Sequence, residues 1–287
     1  MIKHVIFAAA LGTAIAAHGC VDDTNTTHAT PQPTPVNNAT TKTSDFRAHL
    51  PQGFVEPTDT VGHRLLRDYG AMFVARGVMP PPTVVFRDEK EVTGFQKAAG
   101  SATAKIGGTT VELQSAALDA LKDAIADAAK SNLRITPRGG DAAKRTYEHT
   151  VTLWASRVGP GLVHWVAAKK ITRAEAARIK RLTPFEQVPE ILALEDEGIW
   201  FSKDLQKSIV YSVAPPGTSQ HLSMLALDVA QFDDARVRKI LANHGWFQTV
   251  TSDLPHFTYL GAAEDELPSL GLKKVTNANR DFWVPDI

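Results

Sequence analysis

In "APPGTSQHLSMLALDVA", residues 214–230, His221 follows a Pro-Pro-Gly turn and Asp228 lies seven positions on, inside an alternating apolar run. A carboxylate projecting from an apolar strand costs free energy unless something compensates it. A metal ion is one such partner. Seven residues of straight β conformation span about 23 Å, too far for two ligands of one ion. A helix would rise only about 10 Å over the same stretch. The alternation in "LALDV" favours a strand, so joint ligation demands a bend between Leu222 and Leu225.

A third ligand candidate lies downstream. "SDLPHFTYLG" holds His256, with Asp253 three residues before it. His221, Asp228 and His256 form a two-nitrogen, one-oxygen set, and three protein ligands plus a water is the pattern of a catalytic zinc site. Zinc polarises a carbonyl and acidifies water. A nearby carboxylate that is not a ligand then takes the proton and passes it to the leaving amine, a role for which Asp253 is placed. Plainer roles exist for each residue. Asp228 could pair with an arginine, His256 could pack on Trp246, and Asp253 could open a turn with Leu254 and Pro255.

"SQHLSMLALD" resembles the Ser-x-His-x-x-Gly-x-Ala-x-Asp motif of the zinc D-alanyl-D-alanine carboxypeptidases, a family that includes L-alanyl-D-glutamate endopeptidases of phage endolysins. "DLPHFTY" is similar to the family's second motif, "ILANHGWF" to the helix before it, and "KRTYEHTVTLW" to the earlier arginine segment. The resemblance covers roughly residues 113–261. It implies His221, Asp228 and His256 as zinc ligands and Asp253 as general base. It implies Ser219 as a substrate or ligand-supporting hydrogen bonder, and Arg145 as the arginine that contacts substrate near the scissile carbonyl, with Arg138 as runner-up. The implied substrate is a peptidoglycan stem peptide. Carboxypeptidase action comes first, L-alanyl-D-glutamate or other endopeptidase action second, and an inactive cell-wall peptide binder third. Three departures stand out: Met224 occupies the family's glycine, in the segment that must bend; the base is aspartate, as in the endolysin branch; and only 28 residues separate Asp228 from His256, which reads as a lost connecting loop. A left-handed backbone at Met224 would be strained.

These residues need elements to position them. "HRLLRDYGAMFVARG" and "VELQSAALDALKDAIADAAKSN" read as helices, the second with Leu118, Leu121, Ile125 and Ala128 at helical spacing and Asp119, Asp123 and Asp127 on its wet face. "TVVFRD" reads as a short strand, "LRITPRGG" as strand and turn, and "KRTYEHTVTLWASRVG" as another helix. Residues 159–198 are mostly helical. "DDARVRKILANHGWFQTV" reads as helix, glycine stop and strand, and "DLPHFTYLG" as a strand. Helices first and strands later predict an α+β fold, with a small antiparallel sheet carrying the zinc site and helices flanking it.

The chain has 287 residues, with 31 basic and 31 acidic side chains. This balance does not argue for a polyanion partner, and the long basic stripe expected of a nucleic-acid binder is missing from the sequence. Residues 1–20, "MIKHVIFAAALGTAIAAHGC", have a basic start and a short apolar run ending at Cys20, the only cysteine. They read as a lipoprotein-type signal peptide, with Cys20 as the lipidation site and anchor to a bacterial membrane. Residues 21–45, rich in Thr, Asn and Pro, read as a disordered tether, and residues 46–287 as the peptidase domain of an exported protein.

Overall fold

The computed structural model describes residues 45–287. The expected signal peptide, the lipidation site Cys20 and the tether up to residue 44 lie outside the described residues. Among the described residues no helix is long and apolar enough to cross a membrane. The fold is α+β.

α1 (Thr60–Tyr69) starts at Asp59, whose carboxylate accepts from the Gly62 N–H, and buries Leu65, Leu66 and Tyr69. The single helix expected over residues 63–77 ends early: Gly70–Val74 tighten into a 3₁₀ turn. α2 (Glu89–Ala99) is capped by Asp88. The strand expected at "TVVFRD" does not form. Thr83 makes one bridge to Val55, and the Phe86 N–H donates to the Gly217 carbonyl, so the segment braces a turn instead of joining a sheet.

A hairpin that periodicity did not signal follows: β1 (Ala102–Ile106) pairs antiparallel with β2 (Thr109–Leu113). α3 (Ser115–Lys130) buries Leu118, Leu121 and Ala128 as expected. Residues 133–140 form no strand. Pro137 bridges Val229, and the Arg138 N–H donates to the Asp228 carbonyl at 2.8 Å. α4 (Tyr147–Ala167), α5 (Arg173–Arg181) and α6 (Pro184–Asp196) fill the middle of the chain. Thr183 and Glu186 close a reciprocal capping box at the start of α6.

The central sheet comes late. β3 (Ala226–Asp228) leads through α7 (Ala235–Asn243) to β4 (Trp246–Phe247) and β5 (His256–Tyr259). Strand order is β3-β5-β4, all antiparallel. A terminal hairpin, β6 (Leu272–Asn277) with β7 (Arg280–Pro285), is tied to this sheet by the Trp283 N–H, which donates to the Gln248 carbonyl at 2.9 Å. The main core joins Leu227 and Phe257 of the sheet, and Leu225 just ahead of β3, to Leu118 and Leu121 of α3 and Leu241 of α7. A smaller cluster of Phe86, Val92, Phe95, Tyr147 and Leu222 lies under the segment that carries His221.

Glu195, at the end of α6, is 1 % exposed. It accepts from the Ile209 N–H at 2.6 Å, the Phe201 N–H at 3.2 Å and the Ser208 hydroxyl. Arg64 of α1 donates to the same Ser208 hydroxyl at 2.8 Å. This network pins residues 199–210, including Val210 at the wall of the cavity described below. Each buried donor left unpaired costs about 1–3 kcal/mol. Glu195→Ala should therefore destabilise the protein by about 3–5 kcal/mol, measured by urea unfolding.

Candidate metal centre

The approach to His221 is set by backbone. Gly217 has φ 82°, and a Cβ there would lie 1.9 Å from the Phe86 carbonyl oxygen. No side chain fits that close approach. Ser219 then begins a 3₁₀ turn, Gln220–Ser223, which stops at Met224 with φ 57° and ψ 31°. The bend demanded between Leu222 and Leu225 is this left-handed residue. β3 starts two residues later.

A left-handed non-glycine residue costs roughly 1–2 kcal/mol. Here the surroundings over-determine it. The Met224 side chain is fully buried, and its N–H donates to the His221 carbonyl at 3.3 Å. The Met224 carbonyl accepts from the Gln114 N–H at 3.1 Å, and the Gln114 side chain donates to the Ser223 carbonyl at 2.9 Å. From α2, the Gln96 amide donates to the Leu222 and Arg145 carbonyls, both at 3.0 Å. Every carbonyl from Gln220 to Met224 therefore has a donor.

The other two side chains come from the sheet. Asp228 of β3 and His256 of β5 are directly opposite partners. Their backbones do not bond each other: the Asp228 N–H goes to the Ala142 carbonyl, and the Val229 N–H to the Pro255 carbonyl. In such a non-bonded antiparallel pair, Cα atoms stand only about 4.5 Å apart and side chains meet.

The three side chains converge tightly. His221 Nε2 lies 3.1 Å from His256 Nδ1, and Asp228 Oδ1 lies 3.3 Å from each. The outer ring nitrogens decide the tautomers. His221 Nδ1–H donates to the Ala143 carbonyl at 2.7 Å, since a carbonyl only accepts. His256 Nε2–H donates to Gln220 Oε1 at 2.8 Å, and Gln220 is oriented by its own amide N–H, which donates to the Tyr69 carbonyl at 2.8 Å. The inner nitrogens are therefore both lone pairs, and they face a carboxylate oxygen. Burial pushes the His221 imidazolium pKa down, which keeps the ring neutral, although Asp228 opposes this. The Asp228 carboxylate is largely buried, which by itself disfavours its charged form. Its second oxygen accepts from Arg145 Nη2 at 2.6 Å.

Three acceptors with no proton between them repel one another unless a cation sits among them. Ligands 2.0–2.1 Å from a tetrahedral ion stand about 3.3 Å from each other. The measured edges match that spacing, so the buried group His221–Asp228–His256 can hold a metal ion.

His221 and His256 open onto a cavity of about 330 Å³, also lined by Ser219, Asp253, Arg145 and Arg157. Asp253 sits on the turn before β5, where its carbonyl accepts from the His256 N–H at 3.2 Å. Arg145, just ahead of α4, is 15 % exposed and holds the Asp141 carbonyl as well as Asp228. Arg138 stands apart from this lining, with its guanidinium 5.1 Å over the Phe232 ring. Sequence reasoning missed the supports: Gln220 and the Ala143 carbonyl that orient the two imidazoles, and Gln96 and Gln114 that hold the bend. Gln220 is adjacent to His221 and was the one within reach of local inspection. The chain matches no family model, no curated protein and no solved structure.

One divalent transition-metal ion should bind per chain and raise the melting temperature. At a hundredfold excess over Kd the stabilisation is about 2.7 kcal/mol, roughly 5–10 °C for a chain of this size. Asp228→Ala should abolish both effects, measured by elemental analysis and thermal melts. Met224→Gly relieves about 1–2 kcal/mol of backbone strain but deletes a fully buried side chain worth about 2–5 kcal/mol. It should destabilise the protein on balance, measured by chemical denaturation.

Proposed function

We propose that this chain is a zinc-dependent peptidase that acts on peptidoglycan stem peptides, with D-alanyl-D-alanine carboxypeptidase action as its first specificity. The observation that carries this reading is the convergence of His221, Asp228 and His256 beside a cavity that also contains the Asp253 carboxylate. Two imidazole nitrogens and one carboxylate oxygen are a donor set suited to zinc, and the order of the motifs along the chain supports the same family reading. When bound, zinc supplies Lewis acidity to a carbonyl and acidifies water.

The chain's own groups do the rest. Asp253 accepts a proton from the attacking water and delivers it to the departing nitrogen. Ala143 and Gln220 keep both imidazole lone pairs directed inward. Arg145 positions Asp228 through its Nη2, and its charge at the cavity wall favours the oxyanion. Ser219 lines the same cavity and offers a hydroxyl to substrate. A second specificity, L-alanyl-D-glutamate endopeptidase action, is favoured by the aspartate at the base position. Export and attachment to a bacterial membrane through Cys20 complete the reading and place the enzyme beside its polymer.

Zinc-loaded protein should release D-alanine from stem peptides. Asp253→Asn should retain zinc while losing about 10²–10⁴ of kcat. Elemental analysis and amine release, run together, check this. Equal turnover by the two proteins would remove Asp253 from its role. Zinc bound with no amine released from any stem peptide would leave a peptide-binding module instead.

A further inference from the structure

Arg157, two turns and more into α4, lines the same cavity and has no acidic partner among the described residues. The other lining charges are committed. Arg145 is bound to Asp228, and Asp141 pairs with His149 at 3.4 Å and Arg145 at 3.8 Å. Asp253 is the proton acceptor of the reading above. Arg157 is held differently, by two neutral hydroxyls: its Nε donates to Ser212 Oγ at 2.8 Å and its Nη1 to Ser156 Oγ at 2.7 Å. These bonds fix the guanidinium plane and leave Nη2 without a partner among the described residues.

An arginine is always protonated, and its planar fork matches a carboxylate. A half-buried cation held in place by hydroxyls, and not neutralised, is prepared for an anion that arrives with the ligand. The remaining wall mixes apolar Leu153, Val210, Val213 and Val250 with the hydroxyl side chains of Thr150, Tyr211 and Ser252. The volume, about 330 Å³, is at the small end of ligand sites, which run from about 300 to 1,000 Å³. A short peptide end fits this volume better than the middle of a long chain.

We infer that Arg157 binds the free α-carboxylate of the substrate's last residue, so that the departing amine is a C-terminal amino acid or short peptide. This rests on the peptidase reading and decides between its two specificities in favour of exopeptidase action. Arg157 acts as a specificity residue that touches the leaving group and takes no part in the proton transfers.

The test uses two N-acylated peptides ending in L-Lys-D-Ala-D-Ala, one with a free C-terminal carboxylate and one with a C-terminal amide. KM and kcat are measured with the zinc-loaded protein, and Kd by calorimetry with metal-free protein. Wild type should favour the carboxylate peptide by about 10- to 100-fold in KM and in Kd. Arg157→Gln should collapse that preference to near unity, and Arg157→Lys should restore part of it. A merely structural Arg157 would lower both peptides together and leave their ratio intact. A wild-type ratio near unity, or a ratio kept in Arg157→Gln, overturns the inference. If Arg157→Gln lacks a cooperative melt, the wild-type ratio and Arg157→Lys decide. If zinc-loaded wild type cleaves neither peptide, the peptidase reading falls, and the binding ratio still judges Arg157.

Discussion

The site depends on keeping protons out of the space between His221 Nε2, His256 Nδ1 and Asp228 Oδ1. Each imidazole carries one proton, and each proton is drawn to the outside, by the Ala143 carbonyl in one case and the Gln220 amide oxygen in the other. The orientation of Gln220 is set in turn by the last residue of α1, through the Tyr69 carbonyl. A helix near the start of the described chain thus determines the tautomer of a histidine near its end. Hydrogen bonds to the two outer nitrogens, and from Arg145 to the second Asp228 oxygen, hold the three acceptors at the spacing a metal ion would need.

The same logic explains why a methionine can stand at the bend. The strain at Met224 is local, while its compensation comes from afar: Gln96 on α2, Gln114 ahead of α3, and apolar packing around Leu222 and Met224 itself. The glutamines act as clamps because an amide can donate and accept at once. Gln114 does both with Met79, accepting from its N–H at 2.8 Å and donating to its carbonyl at 2.7 Å, while it also reaches Ser223. A turn with all its carbonyls engaged has little freedom to relax, so His221 is presented by a rigid loop.

How much of this was legible in the sequence follows from the range of each interaction. The ligand candidates were legible because their types and spacing are chemically unusual, and the bend was legible because seven extended residues are too long for one ion. The helices at residues 115–130 and 235–243 were legible from apolar period. "TVVFRD" misled because β-branched residues suit a strand, yet Phe86 is used to brace Gly217 across the chain. The β1–β2 hairpin was missed although Gly107 and Gly108 mark its turn; its strands mix small and polar residues and give weak alternation. The glutamine clamps and the role of Ala143 were invisible, because a partner more than seventy positions away leaves no local pattern.

The pairing of Asp228 with His256 has a consequence for how this molecule could vary. The two residues are 28 positions apart in the chain, yet their distance in space is fixed by strand register alone. Slippage by one residue would turn one of them to the opposite face of the sheet. An ion gripped between them would act as a pin through two adjacent strands, so that alignment and affinity would become one quantity. The connections on either side of α7 and β4 are then where insertion and deletion can act, provided both ends return to the same phase.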